Sequence, residues 1–276
     1  MKTWLITGAS SGFGQAFANA ALEHGDSVVA TFRNAAQAKA FEAGAPGAAL
    51  GLVMDVTDSR AVEAGIAAGL ERFGRIDVLV NNAGYALRAP IEQTSDQEAL
   101  DQLNVNVLGV LRVTRAVLPV MRQQGGGRII NMCSLSGTIA FPTLGFYAVS
   151  KAGVMLLSET LAQEVSGQGI FVTCVEPGGF RTNFGGSSMV KPASDVPEPY
   201  AQLVATMDAN MAKFGEFASG DPKLAAKKII ELAEMTAPPV RVALGDDALP
   251  TLRHALEKRL DEYEGSAALG QGTSAS

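Results

Sequence analysis

The chain has 276 residues, of which 47% are apolar and 18% are charged, with 22 Lys and Arg against 28 Asp and Glu. This composition predicts a globular protein, built as one large α/β domain or two small ones. The six excess negative charges and the absence of a basic cluster argue against nucleic acid or an anionic membrane surface as a partner. No apolar run reaches ~18 residues and no signal-peptide pattern is present, so we expect a cytoplasmic protein without a membrane span.

Short β-branched runs alternate with longer amphipathic runs along the chain. The first set predicts seven strands: TWLIT, SVVATF, LGLVMDV, IDVLVN, RIINMC, IFVTCVE and VRVAL. The second set predicts helices, among them QAFANAALEHG, SRAVEAGIAAGLERFG, QEALDQLNVNVLGVLRVTRAVLPVMRQQ and YAVSKAGVMLLSETLAQEVSGQG. Alternation of this kind is typical of an α/β fold with a doubly wound, Rossmann-like parallel sheet of about seven strands and helices on both faces. We therefore predict one domain over residues 1–264.

Two regions interrupt this rhythm. Residues 185–222 form a long connection that we interpret as a substrate lid or, alternatively, as an extra surface helix. The connection contains an apolar helical pattern formed by Leu203, Val204, Met207, Met211 and Phe214. The tail over residues 265–276 is small, polar and aperiodic, which predicts disorder.

The segment TGASSGFG follows the first strand and leads directly into a helix. A glycine-rich turn in this position lets the backbone approach a pyrophosphate at the helix N-terminus, although a plain tight turn is the alternative. The candidate cofactor-binding residues here are Thr7, Gly8, Ser10, Ser11, Gly12, Phe13 and Gly14.

The end of the second strand selects between NAD and NADP. No carboxylate follows that strand, since Asp26 precedes it, whereas Arg33 comes directly after it. An arginine there favours NADP, with NAD still possible, unless Arg33 is only a surface charge. After the third strand, Asp55 and Val56 lie where an adenine would bind; the alternative for Asp55 is the N-cap of the helix that begins near Ser59.

Tyr147 and Lys151 are one helical turn apart and share a face of their helix. A fixed cation beside a phenol lowers its pKa from ~10, which would make the tyrosine useful as an acid or base.

Other reactive residues are few. Cys133 and Cys174 lie in apolar strands, so we expect both to be buried thiols. His24 and His254 lie far apart, so we expect no metal site.

Several separated motifs occur together in one order: TGxxxGxG at residues 7–14, NNAG at 81–84, Asn106, Ser134, YxxxK at 147–151 and PGxxxT at 177–182. With these motifs the chain resembles the short-chain dehydrogenase/reductase family over residues 3–184. The resemblance implies that Tyr147 transfers a proton to or from the substrate oxygen and that Ser134 holds that oxygen. It also implies that Lys151 lowers the pKa of the tyrosine and binds the nicotinamide ribose.

The resemblance assigns further residues. Asn106 would belong to a proton relay, with a helix-capping or helix-bending amide as the alternative. Ser136 is a rival to Ser134, but the family spacing of thirteen positions before the tyrosine selects Ser134. The remaining implied cofactor contacts are Asn82, Ala83, Gly84, Pro177, Gly178, Phe180 and Thr182. One departure weakens the preference for NADP: Ser11 stands where some NADP-dependent members carry a basic residue.

The resulting hypothesis is an oxidoreductase that moves a hydride between NADP(H) and a ketone, an aldehyde or a secondary alcohol. The apolar lid favours a small apolar or aromatic substrate, and the family resemblance implies a homodimer or homotetramer. Two alternatives remain: a nucleotide-binding regulatory protein without turnover, and a nicotinamide-dependent epimerase or dehydratase.

Overall fold

The computed structural model describes residues 1–182, 184, 186 and 188–273. Its centre is a seven-stranded sheet in which all neighbouring strands pair in parallel. In spatial order the strands are β3 (Ala49–Val53), β2 (Ser27–Phe32), β1 (Thr3–Ile6), β4 (Val78–Asn81), β6 (Gly127–Met132), β7 (Ile170–Pro177) and β9 (Arg241–Leu244). All seven predicted strands are present, which confirms the doubly wound α/β fold in a single domain.

Helices cover both faces of this sheet. One layer contains α1 (Gly12–Glu23), α2 (Ala35–Gly44) and α9 (Pro222–Glu234), which pack over a core that includes Trp4 and Phe17. The other contains α3 (Ser59–Phe73), α5 (Gly109–Gln123) and α6 (Gly145–Glu164), over a core that includes Leu5 and Val113. Successive strand residues such as Trp4 and Leu5 enter opposite cores because side chains alternate across a strand.

The long fourth helix of the sequence prediction is interrupted. It divides into α4 (Asp96–Leu103), a π-helical turn (Asn104–Leu108) and α5. By length and composition alone, the continuous run Asp96–Gln123 would be able to cross a bilayer, contrary to our expectation from the sequence. However, Val113, Val117 and Met121 of this run are fully buried against the sheet, which is the position of a core helix.

The predicted lid contains the short strand β8 (Met189–Val190), which pairs with β5 (Ala86–Leu87), and the helices α7 (Ala201–Ala212) and α8 (Phe214–Phe217). Residues 185 and 187 of the lid lie outside the described residues. The C-terminal part forms α10 (Ala248–Gly265) and α11 (Ala267–Gly270). Thus α11 is helical within the tail that we predicted to be disordered, because Ala and Leu favour helix; residues 274–276 lie outside the described residues.

Candidate active site

A cavity of about 800 Å³ lies at the carboxyl ends of the strands. β1 has β2 on one side and β4 on the other, so the chain reverses its direction of winding there and leaves a crevice. The cavity wall brings together most of the predicted site residues: Gly8, Ser10, Ser11, Gly12, Phe13, Arg33, Asp55, Val56, Asn82, Ala83, Gly84, Ser134, Tyr147, Lys151, Pro177, Gly178, Phe180 and Thr182. Thr7, Gly14 and Asn106 are not part of the wall and support it from behind.

Gly8 and Gly14 of the glycine turn are packed too closely to accept side chains. Gly8 has φ +69°, and a Cβ on Gly14 would lie 2.4 Å from the carbonyl oxygen of Gly8. The Asn82 amide donates hydrogen bonds to the carbonyls of Thr7 (2.9 Å) and Gly8 (3.0 Å), which fixes the turn. Within the described residues, Ser11 makes no side-chain cap to α1. The N–H groups of this helix N-terminus therefore face a cradle that fits a pyrophosphate.

Arg33 and Asp55 occupy the far end of the cavity. Arg33 is exposed directly after β2, and among the described residues its side chain has no ion pair or hydrogen bond. Asp55 accepts hydrogen bonds from the backbone N–H (2.8 Å) and hydroxyl (2.7 Å) of Thr57. The N-cap of α3 is Asp58, so the alternative role that we gave Asp55 is wrong: the helix begins one turn later than that role requires.

Tyr147 and Lys151 are both buried at the centre of the cavity wall. The Lys151 ammonium nitrogen lies 5.8 Å from the centroid of the Tyr147 ring and donates a 2.7 Å hydrogen bond to the carbonyl of Met132. The Ser134 hydroxyl lies beside the Tyr147 phenol on the cavity wall and accepts a 3.1 Å hydrogen bond from the backbone N–H of Ser136. Ser134 therefore shares a site with the phenol, and Ser136 supports it.

Burial changes the acidity of both groups. It raises the pKa of Tyr147 to about 12, although the neighbouring Ser134 hydroxyl acts in the opposite direction. It lowers the pKa of Lys151. The lowered phenol pKa expected from the sequence is thus absent in the protein alone, because desolvation of the buried phenol dominates.

Asn106 lies in the π-helical turn and is 1% exposed. Its amide nitrogen donates to the carbonyl of Tyr85 (2.9 Å) and to the Ser150 hydroxyl (3.0 Å), and its oxygen accepts from the Tyr85 N–H (3.1 Å). A Cβ on Gly84 would lie 3.0 Å from that oxygen and 3.7 Å from the Lys151 nitrogen. Asn106 therefore lies behind Gly84, close to Lys151, at a local widening of the helix.

Three other features of the wall were missed from the sequence. Asp247 accepts a 2.8 Å hydrogen bond from the Gly179 N–H and fixes the turn after β7. Phe184 packs on Tyr147 with ring centroids 5.5 Å apart. Arg88 and Thr143 are buried polar residues on the same wall. No local pattern marks these residues, because each reaches the cavity only through tertiary pairing.

The cysteines and histidines lie as follows. Cys133 and Cys174 are free, buried thiols, as predicted. His24, Asp26 and Glu234 bring ligand atoms within 4.8 Å of one another, a grouping that the sequence did not indicate. The Lys2 ammonium pairs with Glu234 there, and His24 lies 3.1 Å from Asp26. This grouping therefore contains its own cation, and none of its members lines the cavity.

Comparisons with known proteins agree with this geometry. A sequence model of the short chain dehydrogenases matches residues 2–191. The oxidoreductase BOA17 of Botryotinia fuckeliana is 39% identical over 268 residues, which cover 97% of this chain and 93% of that protein. The crystal structure of a short-chain dehydrogenase from Streptomyces avermitilis superposes with a TM-score of 0.90 at 38% identity and covers 99% and 100% of the two chains.

A 3-ketoacyl-(acyl-carrier-protein) reductase from Brucella melitensis, solved with NADH, superposes with a TM-score of 0.74 at 26% identity, over 91% of this chain and 98% of that one. The family match, the fold and the placement of the tyrosine, lysine and serine on one cavity agree with one another. The chain belongs to the short-chain dehydrogenase/reductase family of oxidoreductases.

Proposed function

We propose that this protein reduces a ketone or an aldehyde with NADPH and that Tyr147 supplies the proton. The observation that carries the proposal is the buried Tyr147 phenol, placed beside Ser134 on the cavity that also contains the glycine turn. A carbonyl oxygen between these two hydroxyls would meet two donors, the arrangement that stabilises a developing alkoxide. Bound nicotinamide supplies the hydride in this chemistry.

The raised pKa of Tyr147 suits the direction of reduction. With a pKa of about 12, the phenol is protonated throughout the neutral range and is available as an acid. Lys151 is the nearby titratable group, and burial lowers its pKa and brings it closer to neutrality. Asn106 holds the backbone behind Gly84 and in this way sets the position of the lysine.

Arg33 supports NADP over NAD. It is an exposed cation at the end of β2, on the cavity, where the 2′-phosphate would lie. The Brucella relative binds NADH, which supports a nicotinamide nucleotide as such and leaves the preference to local residues like Arg33.

The lining of the cavity around Tyr147 supports an apolar or aromatic substrate. Its side chains there are mostly apolar and come in part from the lid: Phe141, Leu144, Phe184, Met207, Met211 and Phe214.

On the outer surface, α4 to α6 expose Leu100, Leu111, Val149 and Leu156, which supports self-association through these helices.

The direct test follows nicotinamide absorbance while carbonyl compounds and alcohols are offered with each nucleotide. We expect oxidation of NADPH, faster than of NADH, with an aromatic or apolar ketone or aldehyde. An epimerase would leave the nucleotide unchanged while altering the substrate. If nucleotide binds and neither nucleotide is oxidised or reduced across a broad panel, the proposal is wrong.

A further inference from the structure

Arg88 is a buried cation in the wall of the substrate cavity. It follows β5 directly, and its backbone N–H donates a 2.8 Å hydrogen bond to the carbonyl of Val190 in β8. Its side chain is 6% exposed, and its guanidinium pairs with Asp208 of the lid helix α7 through Nη2. Among the described residues, Nε and Nη1 have no hydrogen-bond acceptor. The guanidinium is therefore only partly satisfied, and leaving such donors buried and unpaired is costly.

The local charges do not balance. Asp208 also accepts a 2.8 Å hydrogen bond from the Lys191 ammonium, so that two cations share one carboxylate. A second carboxylate on Arg88 would leave Asp208 paired with Lys191 and give two complete ion pairs. The arrangement therefore has room for one more negative charge.

Thr143 is a second unsatisfied group beside Arg88. Its carbonyl accepts a 2.8 Å hydrogen bond from the N–H of Ala89, the residue after Arg88, and its own hydroxyl has no partner among the described residues. Among the described residues, Thr143 is also the one non-glycine residue with a left-handed backbone, at φ +67°. Such strain in a β-branched residue is costly and is typical of functional sites.

Arg88 and Thr143 lie on the same wall as the proton donor. Both residues line the cavity that contains Tyr147, which follows Thr143 by four positions. Most of the other side chains at this end of the cavity are apolar, so a cation here would orient a substrate rather than merely attract it.

We propose that Arg88 and Thr143 bind a carboxylate carried by the substrate, at a distance from its reacting carbonyl; this inference rests on the proposed function. The planar guanidinium matches a carboxylate, and Asp208 already shows that group in contact with it. The incoming carboxylate replaces Asp208 on Arg88, while Asp208 remains on Lys191. The substrate is thus an apolar or aromatic oxo acid.

The kinetic test uses NADPH and compares ω-(4-acetylphenyl)alkanoic acids of increasing chain length with the corresponding carboxamides. For at least one length, kcat/KM for the acid should exceed that for the amide by ten-fold or more. Arg88→Gln should reduce this ratio at least ten-fold, mainly through the KM of the acid, and Arg88→Lys should retain part of it. The matched control Arg181→Gln removes an exposed arginine that does not line the cavity and should leave the ratio unchanged.

Two further variants separate binding from structural support. Asp208→Asn removes the internal competitor, so the KM of the acid should fall several-fold while that of the amide stays constant. Thr143→Val, which keeps the shape and removes the hydroxyl, should raise the KM of the acid alone. Equal kcat/KM for acids and amides in the parent protein, or an unchanged ratio in Arg88→Gln, would overturn the proposal.

A binding arm keeps this test separate from that of the reductase activity. In the presence of NADPH, 4-ethylbenzoate should raise the unfolding temperature more than 4-ethylbenzamide does, and Arg88→Gln should abolish the difference. If the carboxylate stabilises the parent protein in this way while no ketone is reduced, the proposed function fails and the carboxylate site stands. If ketones are reduced and the two ligands stabilise equally, the carboxylate site fails and the reductase stands.

Discussion

The Lys151 ammonium lies against the Tyr147 ring, 5.8 Å from its centroid, but its hydrogen bond goes to the carbonyl of Met132. The two residues are therefore adjacent without a direct proton path between them in the protein alone. Burial dominates the acidity of both, since it raises the pKa of the phenol and lowers that of the ammonium. The pair is a desolvated phenol and ammonium on one wall, and burial shifts the pKa of each toward its neutral form.

The raised pKa of Tyr147 predicts an alkaline loss of stability. A phenol ionises near pH 10 when unfolded and near 12 when folded, so its contribution to stability is complete below pH ~10 and is lost as the pH rises through about 12. By this linkage the parent protein should lose about 1.4 kcal/mol more than Tyr147→Phe does between pH 8 and pH 11. Urea unfolding at the two pH values measures it. Tyr263→Phe, at an exposed site, should behave like the parent; an equal loss in Tyr147→Phe would show that burial does not raise this pKa.

Arg33→Asp should shift the nucleotide preference from NADPH toward NADH. A charge-assisted hydrogen bond to a phosphate contributes ~1.5–3 kcal/mol, so the ratio of the two kcat/KM values should change ten-fold or more. Arg60→Asp changes the same charge on the exposed start of α3 and serves as the control. An unchanged ratio in Arg33→Asp would remove this residue from the 2′-phosphate site.

Asn106→Ala should destabilise the fold. It removes three hydrogen bonds of a buried side chain, which together contribute about 2–4 kcal/mol to the free energy of unfolding. Denaturant titration measures this loss, and Asn19→Ala on the exposed face of α1 should cost far less. A loss below ~1 kcal/mol would contradict the supporting role of this amide.

Gly14→Ala should impair nucleotide binding. The added Cβ would approach the Gly8 carbonyl oxygen to 2.4 Å and the Asn82 amide nitrogen to 2.5 Å, so the turn would have to move. We expect at least ten-fold weaker binding of NADPH by calorimetry, since the displaced backbone no longer fits the pyrophosphate. Gly44→Ala is the matched control because its Cβ would meet open space. Equal affinity in the two variants would refute the role of the turn.

The fold was predictable from the sequence because each strand is a short apolar run. A parallel sheet buried on both faces requires such runs, and the seven strands appear where the runs are. The interruption at Asn104–Leu108 was not predictable, because a π-helical turn keeps the same apolar pattern as the α-helix around it. Asn106 was visible as a buried amide, but its partners Tyr85 and Ser150 are known only from the folded chain.

The candidate site was predictable where its residues lie in local motifs. Tyr147 and Lys151 lie on one helix, and Ser134 follows the end of β6. The fold brings all three residues to one cavity wall. The acidity of Tyr147 was predicted in the wrong direction because burial is not visible in a four-residue spacing. Arg88 and Asp208 escaped notice because 120 positions separate them and they meet only in the folded chain.

The most direct test of the central claim is the turnover of Tyr147→Phe beside Tyr263→Phe, with a ketone that the parent protein reduces. The loss of a general acid should lower kcat by ~10²–10⁴, while the Kd for NADPH stays within about two-fold of the parent value. Tyr263→Phe should match the parent in both. Near-parental kcat in Tyr147→Phe, with nucleotide bound, would contradict the account.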